Sequence, residues 1–122
     1  MLEVLPKGVE MSDVTFAQSL VHETWPKKAG RPAKSCIADI FDALKRVERK
    51  LPIEALRSRP RQWSERRVRA IWDGEARRID NYEMADLERA ALEAAKHEYR
   101  ESIERSRRLA AFIQAHESGA AL

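Results

Sequence analysis

A single cysteine, Cys36, stands among 122 residues, so the chain closes no disulfide of its own. With no bridge to form, a reducing, cytoplasmic setting is the expectation. Glycine occurs only four times and proline five times. So few turn-formers, with little clustering of β-branched residues, disfavour a sheet-rich fold. No apolar run approaches the roughly 18–20 residues that span a bilayer. The opening "MLEVLPKGVEM" lacks a basic start leading into an apolar core, so it is unlike a signal peptide. Glycine-rich phosphate loops, nucleophile elbows and HExxH motifs are absent. His22, His97 and His116 lie far apart and at no zinc-ligand spacing from Cys36. No catalytic residue, metal site or cofactor is therefore expected.

Charge is what the chain has in abundance: 35% of its residues are Asp, Glu, Lys or Arg. The net charge of +3 is unevenly spread. Residues 26–78 hold 16 Lys/Arg against seven Asp/Glu, a net of +9, and the remainder nets −6. A basic middle between acidic ends points to a polyanionic partner.

Helical spacing recurs along the chain, and an all-α fold is the expectation. "DVTFAQSLVHET" puts Val14, Ala17, Leu20, Val21 and Trp25 on one face, with Ser12 or Asp13 as cap. Pro26 ends it, and "PKKAGRP" is a basic loop. Its Gly30-Arg31-Pro32 is the centre of an AT-hook-like arm, but Ala29 replaces the usual arginine, which favours an ordinary loop. Lys34 to Lys50 should form a second helix on Ile37, Ile40, Phe41, Leu44, Val47 and Leu51. Pro52 can open a short third helix that Pro60 forbids to continue. A fourth starts near Ser64 and stops at Gly74. Asp80 and Glu83 form a capping-box-like start to a last helix of some 35 residues. Glu101–Arg105 and Glu104–Arg108 are at ion-pair spacing on its solvated face. These signals divide the chain into an N-terminal extension and helix (1–25), a central domain (26–92) and a C-terminal helical extension (93–122).

The stretch "RSRPRQWSERRVRAIWDGEARRID", residues 57–80, carries eight arginines yet is not a uniform charge run. On a wheel of 100° per residue, Val68, Ile71 and Trp72 share one side of "SERRVRAIWD". Arg66, Arg69, Ala70 and Asp73 lie opposite, with Arg67 on a flank. Trp72 reads as core; Trp63 either packs or stacks on a sugar. An apolar anchor with an arginine-rich outer face suits a helix seated in the DNA major groove. There arginine reaches guanine O6 and N7 in bidentate fashion while other arginines neutralise phosphates.

The order is a striped helix, a short helix, a basic turn, a basic helix ending Ile71-x-x-Gly74, then Arg77, Arg78 and a helix with Met84, Leu87, Ala90 and Ala91. Over residues 34–92 this resembles the Cro/C1-type helix-turn-helix family, the lambda-repressor-like or XRE fold. The resemblance implies sequence-specific double-stranded DNA binding in transcriptional control, as a bacterial or phage cytoplasmic protein associated with the nucleoid when bound. Gln62, Ser64, Arg66, Arg67 and Arg69 are then expected at bases. Lys27, Lys28, Arg31, Lys34, Arg57, Arg59, Arg61, Arg77 and Arg78 are expected at phosphates. The long last helix carries an apolar seam of Leu92, Ala95, Tyr99, Ile103, Leu109 and Ile113, diluted by Ser102 and Ser106. It either packs back on the first helix or pairs with a second subunit. A homodimer is the reading adopted, because two recognition helices can meet half-sites one turn apart. The rival is a protein-interaction module whose long helix docks a partner and whose basic face binds RNA or an acidic surface.

Overall fold

A computed structural model describes residues 12–119; segment 1–11, read above as unlike a signal peptide, lies outside the described residues. Five helices follow one another: α1 (Asp13–Thr24), α2 (Ala33–Arg49), α3 (Ile53–Arg57), α4 (Glu65–Trp72) and α5 (Asn81–Glu117). Among the described residues there is no strand, and the one bridge joins Lys28 to Arg31. The architecture is all-helical, as composition and spacing indicate.

Local chemistry explains the helix limits. Ser12 caps α1, its Oγ accepting the Thr15 N–H at 3.1 Å, and Ser64 caps α4 by accepting the Arg67 N–H at 3.2 Å. Pro52 occupies the cap of α3 rather than its first turn. The start of α5 has half of the expected capping box, with the Asp80 N–H donating to Glu83 Oε1 at 3.0 Å.

The described residues divide into two compact units, one ending at Leu92 and the other beginning at Glu93. In the first, α4 packs on both α1 and α2. Val68, Ile71 and Trp72 of α4 are buried, as are Ala17, Leu20 and Val21 of α1 and Ile37, Ile40 and Leu44 of α2. Leu87, Ala90 and Ala91 of α5 belong to the same core. Helix α1, read from the sequence as part of an N-terminal extension, is grouped in the same unit as α2–α4. Its buried face is Phe16, Ala17, Leu20 and Val21, with Val14 only half-buried. Phe41 is also half-buried, its ring lying under the Lys45 ammonium at 5.9 Å.

The expected compact turn between the third and fourth helices is not what the chain builds. Seven residues, Ser58–Ser64, separate α3 from α4, where a helix-turn-helix uses three or four. Helix α3 buries no residue, and α3 and α4 are not among the helix pairs in close contact. Pro60 blocks continuation of α3, and the extra length carries Trp63 into the core.

The C-terminus of α4 is tied to α1. Gln18 donates from Nε2 to the Trp72 carbonyl at 3.0 Å, and His22 Nε2 lies 2.8 Å from the same oxygen. The His22 ring stacks on Trp72 at 3.8 Å between centroids. This carbonyl is one of those left without an intrahelical partner at a helix end. Gly74 then turns the chain at φ +73°, and a Cβ there would stand 2.9 Å from the Gln18 amide. Gly74→Ala is expected to cost the roughly 1–2 kcal/mol of a left-handed L-residue plus the displaced Gln18 contact. Gly30→Ala, at φ +78° in open space, carries the first cost alone. Urea unfolding of the two variants checks the expectation that Gly74→Ala is the more destabilising.

Candidate nucleic-acid interface

The eight arginines of residues 57–78 have two fates. Two of them serve the interior. Asp86, on α5 and fully buried, accepts Arg59 Nη1 at 2.6 Å, Arg59 Nη2 at 3.0 Å and the Trp63 indole N–H at 2.9 Å. Glu83, one turn earlier and 1% exposed, accepts Arg67 Nε at 2.7 Å and Nη2 at 2.8 Å. Glu48, buried on α2, accepts the backbone N–H of Trp63 at 2.7 Å while pairing with Lys45. The Ser58–Ser64 link is thereby strapped to α2 and α5 at once. Tyr82 adds to it, its ring facing the Arg59 guanidinium at 4.7 Å and its O–H donating to the Arg61 carbonyl at 3.2 Å.

These contacts bear on two of the expected roles. Arg67, expected at bases, has a side chain only 16% exposed and is committed to Glu83 and, through Nη2 at 2.7 Å, to the Arg78 carbonyl. Arg59, expected at phosphates, has a side chain 10% exposed and forms a bidentate pair with Asp86. Trp63 is buried with both of its N–H groups on carboxylates, so it packs and offers no face to a sugar. Ser64 uses its oxygen as the α4 cap.

The electrostatics follow from these partners. The hydrogen bond to Asp86 outweighs burial and raises Arg59 above its ordinary pKa; Glu83 does the same for Arg67. Burial pushes the Glu83 carboxyl up. Hydrogen bonds from Arg67 and the Asp80 N–H, with the charges of Arg67 and Arg61, more than offset it, so its pKa lies below the ordinary value. Burial pushes the Tyr82 phenol up.

The outward set is different. Arg66 and Arg69 are exposed on the face of α4 opposite Val68, Ile71 and Trp72. Among the described residues, no carboxylate lies within ion-pair distance of either arginine, nor of Arg57 or Arg77. Arg61 is half-exposed and only 3.8 Å from both Asp80 and Glu83. Arg78, 82% exposed, has Asp80 at 3.5 Å. Beside α4 lies a shallow cleft of about 440 Å³. Arg61, Arg67, Arg77 and Arg78 surround it with Glu75, and Ala70 and Ala76 complete its lining. Small residues leave the cleft open, and guanidinium groups match phosphate oxygens in bidentate geometry.

The structure does not gather the other expected contacts at this cleft. Arg57 and Gln62 are exposed outside its lining. Lys27 and Lys28 are exposed on the α1–α2 link, and Lys34 on the first turn of α2. Gly30-Arg31-Pro32 is closed into a tight turn by mutual Lys28–Arg31 backbone bonds of 3.2 and 2.8 Å. Arg31 is held by Asp39 at 2.6 Å, which ties it to its own fold rather than leaving it free for a minor groove.

Sequence reasoning missed the acceptors Glu48 and Asp86 and read Glu83 only as part of a helix cap. A signal existed for two of them. Glu83 and Asp86 fall on the helical face of Leu87 and Ala90, so each interrupts an apolar stripe close to an arginine-rich segment.

No protein-family model, curated protein or solved structure matches this chain. Among the described residues no group of three or more His, Cys, Asp or Glu could hold a metal ion, and no helix is long and apolar enough to cross a membrane.

A stability signature follows from Glu83. Its pKa is lower folded than unfolded, so the stability it confers is complete above the ordinary carboxyl value and is lost as pH falls through the folded value. Glu83→Gln is expected to cost on the order of 3 kcal/mol at pH 7, where Arg67 loses its counter-charge. Thermal melts at pH 7 and pH 3 test this: the gap between variant and wild type should narrow at the acid end.

Proposed function

We propose that the chain is a sequence-specific double-stranded DNA-binding regulator of transcription that presents α4 to the major groove. The carrying observation is the pair Arg66 and Arg69, exposed and unengaged on the outer face of a helix whose inner face is buried. A helix held rigidly on one side can deliver two arginines to guanine edges with little loss of side-chain freedom. The neighbouring arginine cleft supports the reading, since Arg61, Arg77 and Arg78 can neutralise phosphates that flank the bases. Arg67 and Arg59 leave the contact set and become supports of the helix that reads. Gln62 keeps its assignment near a base, and Ser64 caps the helix beneath it. The longer link before α4 replaces the compact turn of the Cro/C1-type fold with a strap fixed by buried carboxylates. The resemblance to that family therefore enters this reading through element order and the segment after α4. A homodimer, with two copies of α4 on two half-sites, completes the proposal.

Electrophoretic binding of the purified chain to its own upstream DNA and to a scrambled duplex tests this at roughly 50 and 200 mM salt. Arg69→Ala is expected to lose about 1–3 kcal/mol on the specific site and to relax preference at one position. Arg77→Ala is expected to weaken all duplexes alike and to reduce the salt dependence by about one phosphate contact. Equal weakening by both variants demotes Arg69 to a phosphate contact. Failure of the wild-type chain to bind either duplex transfers the basic face to RNA or an acidic protein surface.

A further inference from the structure

The described residues from Glu93 onward form a unit of their own, in which α5 runs to Glu117. Ala95, Tyr99, Ser102, Ser106, Leu109 and Ile113 follow one another at alternating spacings of four and three, the pattern of a helix–helix seam. None carries a charge, although this stretch is otherwise dense in Glu, Arg and Lys. Tyr99 is 68% exposed, Leu109 56% and Ile113 54%, so the seam is uncovered in the single chain. Glu98 and Arg105, seven residues apart and both exposed, lie along the same border of the seam. Neither forms an ion pair among the described residues. The solvated face uses other partners than those expected from spacing: Glu101 meets His97 at 3.0 Å and Glu104 meets Arg107 at 3.7 Å.

We propose that this seam pairs antiparallel with the seam of a second copy of the chain, centred between Arg100 and Glu101. The inference rests on the homodimer part of the reading above and specifies its geometry. In this register Tyr99 faces Ser102 of the second copy, Ala95 faces Ser106, Leu92 faces Leu109 and Ile113 comes against Glu88, so the uncharged stretch of the seam is matched from Leu92 to Leu109. Glu98 of each copy comes beside Arg105 of the other, and the two-fold axis makes this contact twice. Charges bordering a seam select orientation and register in this way. A slide by one heptad in either direction sets Arg105 against Arg105 or Glu98 against Glu98. A parallel pair in register stacks Ser102 on Ser102 and Ser106 on Ser106, and gives Glu98 and Arg105 only Ile103 and Ala110 as neighbours across the seam. Opposite charge therefore favours the antiparallel register.

Sedimentation of the full chain tests it with Glu98→Arg, Arg105→Glu and an equimolar mixture of the two. Both positions are exposed on a helix, and both new residues are good helix formers, so folding is retained. Each variant alone places like charges together twice and is expected to dimerise ~10-fold more weakly than wild type. In a heterodimer of the two variants both cross-copy contacts again join opposite charges, so the mixture is expected to return to wild-type affinity. A wild-type dimer whose single variants associate as tightly overturns the antiparallel register and leaves the homodimer standing. Weak single variants with no recovery in the mixture overturn it as well. A wild-type chain that stays monomeric overturns the register and the homodimer together.

Discussion

The arrangement of the first unit depends on one constraint: a carboxylate removed from water must receive hydrogen bonds or an opposite charge. Asp86 is fully buried and meets that demand with three donors, two from Arg59 and one from the Trp63 indole. Glu83 and Glu48 meet it with Arg67, the Asp80 N–H, Lys45 and the Trp63 N–H. All but Lys45 and the Asp80 N–H come from the segment between α3 and the middle of α4. The carboxylates thus determine where a seven-residue link runs and which way α4 turns about its axis. A well-packed apolar core can be as stable as a buried ion pair of the same volume, or more so. What such pairs contribute here is direction, because a bidentate guanidinium tolerates little rotation.

That direction has a consequence at the surface. Once Arg67 is drawn to Glu83, the helix presents Arg66 and Arg69 outward and buries Val68, Ile71 and Trp72. The same contact fixes the rim of the cleft, because Arg67 also holds the Arg78 carbonyl. Interior and exterior arginines are therefore coupled: the paired ones set the position from which the free ones reach. The tie from Gln18 and His22 to the Trp72 carbonyl secures the other end of the same helix. An eight-residue helix is too short to be stable alone, and both of its ends are held by the rest of the fold.

Much of this was legible in the linear chain, and some was not. Ser12, Ser64 and Gly74 signal helix ends through short-range chemistry, and the structure uses each in that role. The apolar faces of α2 and α4 follow from spacing alone. Arg67 shows where such reasoning stops. On a wheel it sits on a flank, and only a partner 16 residues away decides whether it faces solvent or Glu83. Asp86 and Trp63 are 23 residues apart, and nothing in their local sequence announces the bond between them.

The helical class, the places where helices begin and end, the concentration of positive charge in the middle and the uncharged seam on the last helix can all be read from the order of residues. These properties depend on neighbours within a turn or two, where backbone geometry fixes which residues meet. How eight similar arginines divide between supporting the fold and facing outward emerges from helix packing alone. That division depends on which buried carboxylates come within hydrogen-bond range, and such proximity exists only after the helices have packed.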